Sequence, residues 1–190
     1  MQFTRRVAAC ILSAGFALAS TGSFAADAPR VKFTTSMGEF VVEVYPDKSP
    51  KTVDNFLQYV KAKYYDGTTF HRVISNFMVQ GGGYDANWNQ RPTRPPVAHE
   101  GLGVKNTTGT IAMARTADPN SATAQFFINV SDNAFLDPTP SNPGYVAFGK
   151  VVSGMDTVNK IKGVATGSGG PMPKDVPKTP VVIQSATIVP

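Results

Sequence analysis

The stretch Phe70-His71-Arg72-Val73-Ile74-Ser75-Asn76-Phe77-Met78-Val79-Gln80-Gly81-Gly82-Gly83 constrains the fold more than any other. Two short apolar runs, Phe70–Ile74 and Phe77–Val79, flank the turn-prone pair Ser75-Asn76. Runs this short with turn residues between them read as two strands and a tight connection. The glycine run that follows permits φ > 0, which other residues resist. His71, Arg72 and Gln80 are the polar members of an apolar neighbourhood. An arginine keeps its charge, so an apolar core excludes it unless it is paired. Arg72 is therefore either paired inside the protein or turned toward a pocket where it meets a ligand's oxygens.

The same short-run punctuation continues along the chain. With 17 Gly, 15 Pro and 42% hydrophobic residues in 190, the composition suits one turn-rich, mostly β domain with a real core. Val31–Thr35 and Glu39–Tyr45 read as strands around a turn with Gly38. Ser49 suits a helix N-cap and Pro50 the first helical position. Val53, Phe56, Leu57 and Val60 then recur at helical spacing, which predicts an amphipathic helix over Lys51–Ala62. Thr110–Arg115, Gln125–Val130, Tyr145–Val152 and Val181–Ile188 read as further strands, and Met155–Ile161 as a second, shorter helix. Gly81–Gly109 is a long connection of the sort that carries function or drapes a surface. Gly163–Pro180 reads as a loop. Eight strands and two helices favour a sandwich or a barrel, and pattern alone does not choose.

The N-terminus reads as a targeting segment. Arg5 and Arg6 precede the apolar run Val7–Ala19, and Ser23-Phe24-Ala25 supplies small residues before a cut at Ala26. Residues 1–25 are expected to be a cleaved secretory signal, too short for stable membrane insertion, and 26–190 the mature domain. Cleavage removes two positive charges from a formal net charge of +5 and the one cysteine, Cys10. The mature domain then has no disulfide, and its mild, dispersed positive charge makes no nucleic-acid footprint. Two histidines and no clustered acids argue against a metal site, and Gly81–Gly83 lacks the Lys-Ser/Thr of a phosphate cradle. No cofactor is expected.

Phe-His-Arg-Val-Ile-x-x-Phe-Met-x-Gln-Gly-Gly resembles the signature of the cyclophilins, a class of peptidyl-prolyl cis–trans isomerases. Gly109-Thr-Ile-Ala-Met-Ala-Arg115, Ser121-Ala-Thr-Ala-Gln-Phe-Phe-Ile-Asn129, Phe135-Leu136-Asp137 and Tyr145-Val-Ala-Phe-Gly-Lys150 follow in the family's order. The resemblance runs from about Val31 to Ile188 and is nearest to the bacterial periplasmic, rotamase A type. It implies an eight-stranded antiparallel closed barrel capped by two α-helices. It also implies an isomerase that assists folding of exported, proline-containing polypeptides in the periplasm; nothing in the sequence suggests an obligate dimer, so a monomer is expected.

The resemblance assigns Arg72 as the catalytic arginine and Gln80 as the residue that orders it. Phe77, Met78, Phe127, Phe135, Leu136 and Tyr145 fall in and around the proline pocket. Ala114 and Arg115 fall on the backbone edge that pairs with substrate, and Gln125 on a further contact. Phe135 stands where eukaryotic relatives carry tryptophan, so the indole N–H is missing and cyclosporin is expected to bind weakly; nanomolar inhibition in a drug titration would reject that. Read without the family, Phe127, Leu136 and Met78 could be plain core and Arg72 a structural ion pair. A chaperone that holds proline segments in the same groove with little catalysis is the alternative function. A His71–Ser75–Asp85 hydrolase triad lacks a nucleophile-elbow pattern.

Overall fold

In a computed structural model, described for residues 28–101 and 103–190, the chain builds one eight-stranded antiparallel sheet and a separate hairpin. The segment read as an export signal lies outside the described residues. In chain order come β1 (Arg30–Thr35), β2 (Gly38–Val44), α1 (Pro50–Lys61), β3 (Arg72–Ile74), β4 (Met78–Gly81), β5 (Thr110–Met113) and β6 (Phe126–Asn129). A 3-10 turn (Ala134–Leu136) leads to β7 (Ala147–Ser153), α2 (Met155–Lys162), β8 (Thr166–Gly169), β9 (Met172–Pro177) and β10 (Ile183–Val189). The sheet order is β10-β1-β2-β7-β5-β6-β4-β3.

The sheet curls until its edge strands, β3 and β10, approach each other. They share no ladder. Instead Phe70 N–H donates to the Val181 carbonyl, Gly67 N–H to Ile183, and Ile183 N–H to Thr68. The closed barrel expected from the resemblance is thus overstated: the sheet is not closed by a strand ladder, and only a few backbone bonds from the residues that precede β3 join its edges.

Strand alternation sorts the side chains. The inward strand residues Phe33, Phe40, Phe126 and Phe148 join Phe56 of α1 and Tyr65 and Phe70 from the segment before β3, and all seven are essentially inaccessible. Phe126 sits against Phe33 and Tyr65 at 5.4 Å each. Burying each ring contributes roughly 1.5–3 kcal/mol. The helices supply matching apolar faces, Val53, Phe56 and Val60 from α1, and Val158 and Ile161 from α2.

Two readings of the sequence change. Ser49 occupies the N-cap position of α1 but makes no cap bond, and its buried hydroxyl finds no partner among the described residues. The Glu100 carboxylate, arriving from the long Gly81–Gly109 connection, accepts from Lys51 N–H, Thr52 N–H and the Thr52 hydroxyl instead. A carboxylate also answers the positive end of the helix dipole, which a serine does not. The segment read as a loop, Gly163–Pro180, contains the β8–β9 hairpin. Its Gly, Ser and Pro content hides it from pattern reading, and packing holds it. Gly170 lies so close to Trp88 that any side chain there would strike the indole, and one at Gly169 would collide with Val176.

Candidate active site

A single row of residues crosses the sheet at the site. Arg72 on β3 pairs with Gln80 on β4, Gln80 with Phe127 on β6, and Phe127 with Ala112 on β5. Cross-strand partners share a face, so these four side chains all project to the outside of the barrel. Their strand neighbours Val73, Val79, Phe126 and Ile111 point into the core. One strand therefore serves both the barrel and the site.

Above that row lies a pocket of about 200 Å³, lined by Arg72, Phe77, Met78, Gln80, Ala114, Arg115, Phe127, Leu136 and Tyr145. Its volume is below the range of drug-sized ligand cavities and suits a group the size of one residue. Met78, Phe127 and Leu136 form a buried apolar floor with Ala112 and Ala147, separate from the barrel core. Tyr145 stands edge-on to Phe127 at 5.6 Å. Gln125 lines an adjoining cavity and accepts a 2.9 Å bond from Gln80 Nε2. Gly83 makes that position possible, because a side chain there would collide with the Gln125 amide. Phe135 stands apart from the pocket lining, 67% exposed, stacked on Phe77 with ring centroids 5.6 Å apart.

Arg72 faces this pocket rather than the interior. Among the described residues its guanidinium has no hydrogen-bond partner, and its nearest carboxylate is Asp175, with Oδ2 4.0 Å from Nε. That is beyond hydrogen-bonding range. Arg115 behaves differently. Its Nε and Nη2 both donate to the Gly144 carbonyl, at 2.9 and 2.8 Å, and its guanidinium lies 4.6 Å from the Tyr145 ring centre. The side chain thus pins the pocket wall, a role beyond the backbone one expected. Ala114 N–H donates to Gln125, whereas Arg115 N–H has no internal acceptor among the described residues. An extended peptide has a free donor to pair with there.

Sequence reading missed the support beneath the walls. Asn129 Nδ2 donates to Asn106 and to the Thr110 hydroxyl; Asn133 Nδ2 donates to Asn129 and to the Phe77 carbonyl. Asn106 in turn donates to Asp137 and to the Tyr145 carbonyl. The buried network ties together the backbones carrying Phe77, Leu136 and Tyr145. Its signal was an asparagine ending the apolar run Phe-Phe-Ile-Asn129. The hydrolase alternative finds no geometry: the Asp85 carboxylate is engaged by Asn87 N–H and by Asn89 in its own loop.

Comparisons with known proteins agree on one group. Residues 30–188 match the family model described as cyclophilin type peptidyl-prolyl cis-trans isomerase/CLD. Peptidyl-prolyl cis-trans isomerase cyp18 of Streptomyces antibioticus is 53% identical over 163 residues, covering 84% of this chain and 98% of that protein. Peptidyl-prolyl cis-trans isomerase B of Escherichia coli is 52% identical, covering 83% and 98%. Peptidyl-prolyl cis-trans isomerase A of Dickeya dadantii is 46% identical over 188 residues, covering 98% of each chain. Among solved structures, a Cryptosporidium parvum cyclophilin type isomerase in the presence of the dipeptide Ala-Pro superposes with a TM-score of 0.69. It is 26% identical, with 85% of this chain and 99% of that one covered.

Proposed function

This chain belongs to the cyclophilin-type peptidyl-prolyl cis–trans isomerases, and we propose that it isomerises X–Pro bonds by seating the proline ring on Phe127 while Arg72 stabilises the twisted imide. The amide C–N bond resists rotation by ~18–20 kcal/mol because of resonance. An X–Pro bond alone takes tens to hundreds of seconds to switch, so a useful catalyst lowers the barrier by roughly 7–8 kcal/mol. No bond breaks, so neither nucleophile nor metal is needed. As the bond twists, the imide nitrogen leaves resonance and its lone pair becomes an acceptor. A donor poised for that lone pair meets it only in the transition state, which raises the rate rather than ground-state affinity.

The observation that carries this reading is the cross-strand row. It puts a guanidinium without an internal hydrogen bond beside an apolar floor of one-residue size. Gln80, held by Gln125, is placed to accept or donate at the substrate's backbone next to Arg72. Arg72→Ala is expected to lower kcat/KM for a short X–Pro peptide by about 10²–10³-fold, as loss of one transition-state donor does elsewhere. Its thermal unfolding should match the parent, since the removed group is not part of the core. Near-parental turnover would remove Arg72 from the mechanism.

The substrates, in this reading, are proline-containing segments of exported polypeptides in the periplasm, where the enzyme assists folding. The charged-then-apolar N-terminus with Ala25 before the cut supports the location.

A further inference from the structure

We infer that Asp175 on the β8–β9 hairpin is a positioning residue for Arg72, acting through the guanidinium rather than on substrate. The inference rests on the catalytic reading of Arg72 and adds a partner to it. Four observations converge. Asp175 Oδ2 lies 4.0 Å from Arg72 Nε, and it is the one carboxylate within that distance among the described residues. Both side chains are partly shielded, 36% exposed for Arg72 and 22% for Asp175, so the attraction is screened less than between open surface charges.

The backbone of Asp175 is special. Its φ is 66°, one of three non-glycine residues with positive φ among those described. The conformation is disfavoured for an L-residue, although Asp tolerates it better than most. Strained residues of this kind mark places where surrounding structure dictates an orientation. Here the carboxylate accepts no hydrogen bond from a described residue that would account for it.

The hairpin register explains how the strain arises. Gly167 pairs with Val176 and Gly169 with Met172. Between those pairs β8 has Ser168 alone, while β9 has Pro173, Lys174 and Asp175. An irregularity of this kind bends a strand and re-aims a side chain, and such features collect beside active sites. The hairpin is anchored independently where Gly170 sits against the Trp88 indole, with Gly169 close to the same ring. β9 also packs on β3, the strand that carries Arg72. The result is a fixed negative charge held near the guanidinium at a separation too long to occupy its donors. The donors stay available to the imide nitrogen, and the charge limits how far the guanidinium can swing away.

The test uses Asp175→Asn, which keeps the size and the tolerance of positive φ and removes the charge. Turnover of an X–Pro peptide should show kcat reduced about tenfold with KM within about twofold, the pattern of a misplaced transition-state donor. The Arg72 Nε–Hε resonance, assigned by its absence in Arg72→Ala, should shift in Asp175→Asn. In the Arg72→Ala background the Asn change should have no further effect on kcat, whereas a merely structural role would lower both backgrounds equally. An unchanged or raised kcat, an unmoved resonance, or equal losses in both backgrounds would each overturn the inference. Parental activity in Arg72→Ala alone would instead overturn the catalytic reading, and the resonance would still report on the pair.

Discussion

His71 and Arg72 are adjacent in sequence and have opposite fates. Arg72 reaches the pocket, whereas His71 is 4% exposed, with Nδ1 unpartnered among the described residues. Burial, aided by the neighbouring Arg72 charge, pushes the His71 imidazole down from 6.5 to about 4, against opposing interactions with Thr69 and Gln125. The folded state therefore binds fewer protons than the unfolded chain between those values. Stability is full above pH 6.5 and falls as pH drops toward 4, by up to about 3 kcal/mol from this group. Urea unfolding at a series of pH values should show that decline, and His71→Asn should flatten it. Parallel curves for parent and variant would mean that other groups set the acid sensitivity. At this scale the sequence was legible in residue type but not in direction. It left Arg72 open between an internal pair and a pocket, because neither composition nor spacing says which way a strand residue faces.

At the scale of elements, β6 shows how alternation divides labour. Phe126 packs among four rings of the barrel core, and Phe127, one residue on, forms the pocket floor. Phe126→Ala is expected to destabilise the fold by about 3–5 kcal/mol, because it opens a cavity between rings that cannot collapse. Phe127→Ala should lose less stability but raise KM and lower kcat/KM on proline peptides, since the floor of the slot is gone. Denaturant unfolding and peptide kinetics on the two variants check this together, and a similar stability loss in both would contradict the division. The apolar runs made the strands of the main sheet legible to within a few residues. The β8–β9 hairpin was not, because its residues have poor strand propensity and are held by Trp88 and by β3, distant in sequence. Ser49 misled for a related reason: a local cap signal lost to a carboxylate delivered from 51 residues away along the chain, Glu100.

For the molecule as a whole, the barrel is joined at a seam beside the site. The residues bonded to Val181 and Ile183 lead directly into β3, so closure and the placement of Arg72 depend on one another. Expression of the full chain in a bacterial host should yield a periplasmic protein whose N-terminal sequencing begins at Ala26. Retention of residues 1–25, or recovery from the cytoplasm alone, would withdraw the proposal of export.

Residue order alone predicted the main strands and the two helices, and it carried the family resemblance from which the side chains around the pocket were expected. The strands and helices follow from periodicity and turn chemistry, and the expected pocket residues only from the resemblance that the motifs carry; both signals are local and written along the chain. Tertiary structure alone decided that Arg72, Gln80 and Phe127 form a row, that Glu100 caps α1, and that a strained Asp175 stands beside the guanidinium. Each of those depends on register and on packing between segments far apart in sequence, and such distances acquire meaning only when the sheet curls and its edges meet.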